Sequence, residues 1–217
     1  MNIAGFSAGP YKTNCYVVIG DGAAVVVDPG MHAQGKVEAY LREQGVCLEA
    51  IYLTHGHIDH TRDAGALAKK HNAPVYIHAE DEYMLEAGDG VAPRTRLLFD
   101  ADNMIPIPEL RYFVDGETVT HAGFTVRVAH APGHSPGSVL LVHDEVCFSG
   151  DVLFRGTIGR TDMAESDPDE MEKSLAGPVW ALDDALSVLP GHGPTTSMRM
   201  ERSSNPYLRM AKQKYPQ

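Results

Sequence analysis

Between residues 54 and 60 the chain reads Thr54-His55-Gly56-His57-Ile58-Asp59-His60, three imidazoles and a carboxylate within one short run. A helix cannot use these groups together, because His55 and His57 would project roughly 200° apart. The apolar run Ala50-Ile51-Tyr52-Leu53 just before reads as a buried strand, and residues 63–71 have helical spacing. The cluster therefore occupies a strand-to-helix turn, where Gly56 relaxes the backbone and several side chains can be aimed inward. Imidazole and carboxylate together suit zinc and other divalent first-row metals. Four ligands so close in sequence cannot all converge on one tetrahedral ion, so other segments must supply the rest.

Three further positions have the matching form. His134 lies in Ala131-Pro132-Gly133-His134-Ser135, a tight turn between two strand-like runs. Asp151 follows Val146-Cys147-Phe148-Ser149-Gly150, and His192 stands in Leu189-Pro190-Gly191-His192-Gly193-Pro194. Each is one metal-binding group at a strand end, beside a glycine that lets backbones approach. The other histidines (His32, His71, His78, His121, His130 and His143) lack this placement and read as surface or core residues. His130, just ahead of the His134 turn, also has a reading as a supporting residue.

The rest of the pattern indicates an α/β chain. Thr13 to Ile19 and Ala23 to Val27 read as strands around the Asp21-Gly22 turn. Residues 34–44 carry Val37, Tyr40 and Leu41 at helical spacing, with Gly45 as the stop. A strand is expected at 74–78 and a helix at 79–87. Residues 88–111 are proline-rich without a sustained period and read as a loop or lid over the site. Strands follow at 117–120, 123–129, 137–142 and 145–149, with little helix between them, so that part of the sheet is antiparallel. Ser166-Asp167-Pro168 announces a helix over 167–176, a strand is expected near 185–189, and one helix from about 198 closes the chain. No repeat or linker divides residues 1–217, which read as a single domain.

Composition excludes several classes. A formal net charge of -11 argues against a basic surface for nucleic acid. No apolar run approaches the ~18 residues of a membrane span, and the N-terminus lacks a basic region followed by an apolar stretch. Cys15, Cys47 and Cys147 are scattered and odd in number. They read as buried free thiols in a reducing, cytoplasmic setting. Oligomeric state is not legible.

The order T-H-x-H-x-D-H, then a lone histidine, then G-D, then P-G-H resembles the metallo-β-lactamase superfamily over nearly the whole chain. Asp151 to Asp162, with Gly159-Arg160-Thr161-Asp162, and Pro190 to Thr196 are similar to its short bacterial glyoxalase II-like branch. The resemblance implies an αββα sandwich of mixed sheets with outer helices, and the site at one edge. It implies that His55, His57 and His134 hold one divalent metal and that Asp59, His60 and His192 hold a second. Asp151 would bridge the two with a hydroxide. Zinc is the first expectation, with iron or manganese as other suitable ions. Asp59 would also relay a proton.

The implied substrate is a small-molecule thioester such as S-lactoylglutathione, whose thiolate leaves without protonation. The longer enzymes of that branch carry a C-terminal helical domain for the glutathione carboxylates, and this chain ends after one expected helix. Arg94, Arg96 and Arg111 in the 88–111 segment are candidate replacements, although Glu86, Asp89, Asp100, Asp102 and Glu109 can neutralise them. Arg160 is a further candidate contact, but its stretch reads first as a salt-bridged loop that buttresses Asp151. Two alternatives use the same residues. One is a lactonase. The other is a persulfide dioxygenase with a single iron on His55, His134 and Asp151. A β-lactamase is disfavoured because those members lack the bridging aspartate.

Overall fold

The computed structural model describes residues 1–85 and 91–216. The apolar runs of the N-terminal half pair into a six-stranded sheet: β1 (Asn2–Ala8), β2 (Thr13–Gly20), β3 (Ala23–Val27), β4 (Cys47–Tyr52), β5 (Val75–His78) and β6 (Leu110–Phe113), in that order. The first three strands are antiparallel, and β3 to β6 run parallel. A second sheet holds β7 (Thr118–His121), β8 (Phe124–His130), β9 (Val139–Val142), β10 (Val146–Gly150), β11 (Ser187–Pro190) and β12 (Thr196–Ser197). It is ordered β12-β11-β10-β9-β8-β7. It is antiparallel except for the β10–β11 pair.

Side-chain alternation produces the layers. Tyr16, Val18, Val25, Val27 and Tyr52 face Val126, Val128, Leu141 and Phe148 across the gap between the sheets. The intervening residues Cys15, Val17, Val26 and Ile51 face outward onto Val37 and Leu41 of α1 (Gln34–Gln44) and Leu67 and Ala68 of α3 (Ala64–His71). Two short helices, α2 (Ile58–Thr61) and α4 (Pro93–Leu98), precede α3 and β6 in the chain. On the far side Leu140, Cys147 and Val188 pack on α5 (Pro168–Ser174), α6 (Met198–Ser204) and α7 (Pro206–Lys214). Both faces of each sheet are thus buried, which is why β3 is a continuous apolar run. The architecture is the expected αββα sandwich with mixed sheets and outer helices.

Several local expectations need correction. The 88–111 segment is not one loop. Pro93 sits at the first turn of α4, where its missing N–H costs nothing, and Leu110–Phe113 extend the first sheet as a parallel edge strand. Residues 79–85 form a 3₁₀ helix, and the remainder of that expected helix, like Glu86 and Asp89, lies outside the described residues. The C-terminus has two helices, because Asn205-Pro206 breaks the first. The Asn205 side chain then caps the second by accepting from the N–H groups of Tyr207 and Leu208. Cys15 and Cys147 are buried, Cys47 is exposed, and all three are free thiols. Among the described residues no helix is long and apolar enough to cross a membrane.

Candidate metal centre

All seven expected donors gather at one edge of the sandwich, at or just beyond the ends of strands. His55 and His57 follow β4, Asp59 and His60 lie on α2, and His134 occupies the β8–β9 turn. Asp151 follows β10 and His192 follows β11. Each apolar strand ends where its chain leaves the core, so the first polar group after it is delivered to the same rim.

Two donor sets form. His55, His57 and His134 each offer a ligand atom within 4.8 Å of the others, and so do Asp59, His60 and His192. Asp151 stands between them. Its Oδ1 lies 3.3 Å from His60 Nε2, and its Oδ2 lies 3.5 Å from His134 Nε2 and 3.4 Å from His192 Nε2. Asp59 Oδ2 is 3.4 Å from His60 Nε2 and 3.2 Å from His192 Nε2. Gly191 makes this approach possible, because a Cβ there would lie 2.2 Å from Asp151 Oδ1 and 2.5 Å from the His60 ring.

The donors fit metal ions on a second count. His55 Nε2, His60 Nε2 and Asp151 Oδ1 are fully buried without a hydrogen-bond partner. An orphaned buried polar atom costs about 1–3 kcal/mol, so three at one point approach a sizeable part of a typical fold stability of about 5–15 kcal/mol. One cation in each donor set, with Asp151 between them, would satisfy all three.

The free nitrogens are aimed by what holds the other ring atom. His60 Nδ1 donates to Asp28 Oδ2 at 3.0 Å. His55 Nδ1 donates to Thr54 Oγ1 at 3.1 Å, which in turn donates to the same Asp28 oxygen at 2.6 Å. His134 Nδ1 donates to the carbonyl of Arg160 at 2.8 Å, and His57 Nε2 donates to Glu165 Oε1 at 2.9 Å. With that end anchored, His57 Nδ1 faces His134 Nε2 at 2.8 Å.

Electrostatics divide the two sets. Burial, with the neighbouring imidazoles, lowers His55 well below the ordinary histidine value, and burial pushes His134 down to about 4. Both therefore present neutral, metal-competent rings. Burial opposes charge on His60 and His192 too, but the carboxylates of Asp59 and Asp151 outweigh it and raise both. For Asp59 burial is again overcome, here by His60, His192 and the Thr13 hydroxyl, so the carboxylate stays ionised.

Five of the donors, His57, Asp59, His134, Asp151 and His192, line a cleft of about 1130 Å³ walled by Tyr11, Ile58, Tyr83, Met84, Phe154, Ile158 and Met163. Arg160 is the only lysine or arginine among the described residues that line it. Arg94 and Arg96 are not in the cleft wall. Val91, Ala92 and Thr95 take the inward side of α4. At 100° per residue this turns residues 94 and 96 away. Arg94 is exposed, Arg96 pairs with Asp102 at 2.5 Å, and Arg111 with Glu109.

The family model described as "Metallo-beta-lactamase superfamily" matches residues 8–194. The chain belongs to that superfamily. Among similar members is the hydroxyacylglutathione hydrolase GloC of Haemophilus influenzae, 30% identical over 96% of this chain and 98% of that protein. The BLEG-1 B3 metallo-beta-lactamase structure is 34% identical, with a TM-score of 0.84 over 95% of this chain and 99% of that one. The di-iron-bound form of TTHA1623 is 35% identical, with a TM-score of 0.82 over 94% and 99% of the two chains. The present chain is thus an enzyme of the metallo-hydrolase superfamily with a histidine–aspartate metal-binding cluster.

Three supporting carboxylates were not read from the sequence: Asp28, Glu165 and Asp81. Asp28 had a signal, being a charged residue that ends the fully apolar β3 with φ of 52°. Glu165 had none, because its partner His57 lies 108 residues away. Its loop carries more than Glu165: Ser166 Oγ donates to the His134 carbonyl at 2.7 Å. Glu165→Ala is expected to weaken the metal held by His55, His57 and His134 by about 10–100-fold, leaving the other set loaded. Chelator competition measures this, and an unchanged affinity would exclude the role.

Proposed function

We propose that this metallo-hydrolase is a thioesterase acting on acylglutathione thioesters of the S-lactoylglutathione kind. The observation that carries the proposal is two complete donor sets sharing Asp151 at the floor of a substrate-sized cleft. The likeness to a hydroxyacylglutathione hydrolase along the whole chain supports the substrate class. The residues assigned to the ions are His55, His57 and His134 for the first, Asp59, His60 and His192 for the second, and Asp151 for both. When bound, two divalent ions supply a water acidified from 15.7 to about 7 and a Lewis acid for the carbonyl.

The chain's own groups do the rest. Asp59 stays ionised at Oδ2, where it accepts from Thr13 Oγ1 at 2.8 Å, and it lines the cleft as a proton acceptor beside the donors. Ile58, Met84, Phe154 and Ile158 exclude water from the acyl group. A thiolate leaving group needs no acid, in keeping with the absence of any neutral carboxyl among the described cleft residues. Arg160 is the cation available to a glutathione carboxylate. Its pair with Asp162 is 71% and 72% exposed, and such pairs contribute only about 0–1 kcal/mol, so a substrate can displace it.

Arg160→Ala is therefore expected to raise KM for S-lactoylglutathione about 5–10-fold, equivalent to one exchanged charged hydrogen bond, with kcat and metal content unchanged. A small uncharged thioester should be hydrolysed as before. Equal effects on both substrates would remove glutathione as the carrier while leaving the thioesterase. Metal analysis belongs in the same experiment. About two ions per chain support the dinuclear reading, whereas one iron with oxygen uptake on glutathione persulfide would replace it with a dioxygenase. The BLEG-1 likeness gives a second reading, β-lactam hydrolysis, and a lactone is the third ester-like comparator. Faster turnover of a β-lactam or lactone than of any thioester would overturn the proposal.

A further inference from the structure

One other group of donors, outside the cleft, is close enough to share an ion. His78, Glu80 and His130 each offer a ligand atom within 4.8 Å of the other two. His78 is the last residue of β5 and His130 the last of β8, so each sheet delivers one imidazole to the same edge. The rings lie stacked, 4.1 Å apart with 13° between their planes, and so set their nitrogens side by side. His130 Nε2 donates to the carbonyl of Pro136 at 2.8 Å, which anchors the ring and leaves the lone pair on Nδ1. Backbone anchoring of this kind orients metal-binding imidazoles. Glu80 Oε2 lies beside the same imidazole, 3.9 Å from the anchored Nε2.

The surroundings favour a cation as well. The group borders a second cavity, of about 460 Å³, whose charged wall is formed by Glu80, Glu165, Asp167 and Glu170, with no lysine or arginine among the described lining residues. Carboxylates around a concave wall concentrate positive ions there. Two histidines and a glutamate are also a donor set that zinc uses with one position left open.

We propose that His78, Glu80 and His130 form a separate site for a divalent transition-metal ion of the zinc class, its open position facing this acidic cavity. The site is independent of which ester the main cleft hydrolyses. Only Glu165 borders both cavities, so the two centres are neighbours without sharing a ligand.

Calorimetric titration of the metal-loaded protein, freed of loosely held ions, tests the site. Zn²⁺ is expected to bind at one further position per chain with micromolar affinity, and Mg²⁺, which demands hard oxygen ligands, is expected not to bind. His78→Ala and Glu80→Gln should each weaken that step by about ten-fold or more, with resident metal content and thioester hydrolysis unchanged. The Glu80 side chain is 56% exposed, so its variant keeps the fold. Absence of a further zinc step, or the same affinity in wild type and both variants, would overturn the proposal.

Discussion

Asp151→Ala is expected to reduce hydrolysis by roughly 10³-fold or more, the scale on which one preorganised electrostatic group acts at a reacting centre. It should also lower the metal content from about two ions per chain to one or fewer. Asp151 faces donors of both sets, His134 on one side and His60 and His192 on the other. It is nine-tenths buried, and its Oδ1 has no hydrogen-bond partner. Alanine would leave the imidazoles of His60 and His192 with only Asp59 and, for His60, Asp28 as counter-charge, so cations would be held by fewer ligands against greater repulsion. Asp151→Asn keeps the volume and one acceptor oxygen but not the charge, and should fall between alanine and wild type in metal content. Two ions per chain with near-normal turnover in the alanine variant would end the bridging role.

The gathering of the seven candidate donors at one edge was legible because His55, His134, Asp151 and His192 each follow an apolar run with a glycine beside them, and His57, Asp59 and His60 come within five residues of His55. Asp151 after Ser149-Gly150 and His192 after Pro190-Gly191 have that form. Neither periodicity nor spacing could reveal what aims them. Asp28 reaches Thr54 over 26 residues, and Glu165 reaches His57 over 108. Pairing of that range is decided by the packing of two sheets, not by local pattern. The segment after residue 90 misled for a related reason. Its prolines were read as breaks, although Pro93 starts a helix and Pro106 and Pro108 precede an edge strand without interrupting it. The orientation of α4 then decided that Thr95, not Arg94 or Arg96, reaches the cleft, which no count of arginines could foretell.

Asp81→Ala is expected to lower stability by about 3–9 kcal/mol, at about 1–3 kcal/mol for each of three stranded donors, and to release metal as a consequence. Asp81 lies in the acidic run Glu80-Asp81-Glu82, yet it is fully buried. Its Oδ2 accepts from the N–H of Gly56 at 2.8 Å and from Ser135 Oγ at 2.6 Å, and its Oδ1 accepts from the N–H of Gly137 at 2.6 Å. Gly56 separates His55 from His57, and Ser135 follows His134, so this carboxylate ties the two loops of one donor set together. The space is also exact to a methyl group: a Cβ on Gly137 would stand 2.7 Å from the Asp81 carboxyl carbon. Asp81→Asn separates hydrogen bonding from volume. All three contacts are donations to oxygen, and whichever way the amide turns, its NH₂ meets a glycine N–H that can only donate. The asparagine variant should therefore lose most of what alanine loses, despite its matching shape. Thermal melting of the metal-loaded and chelated forms measures both parts. A Tm for Asp81→Asn equal to wild type, with metal retained, would mean that the carboxylate's two accepting oxygens are not what joins these loops.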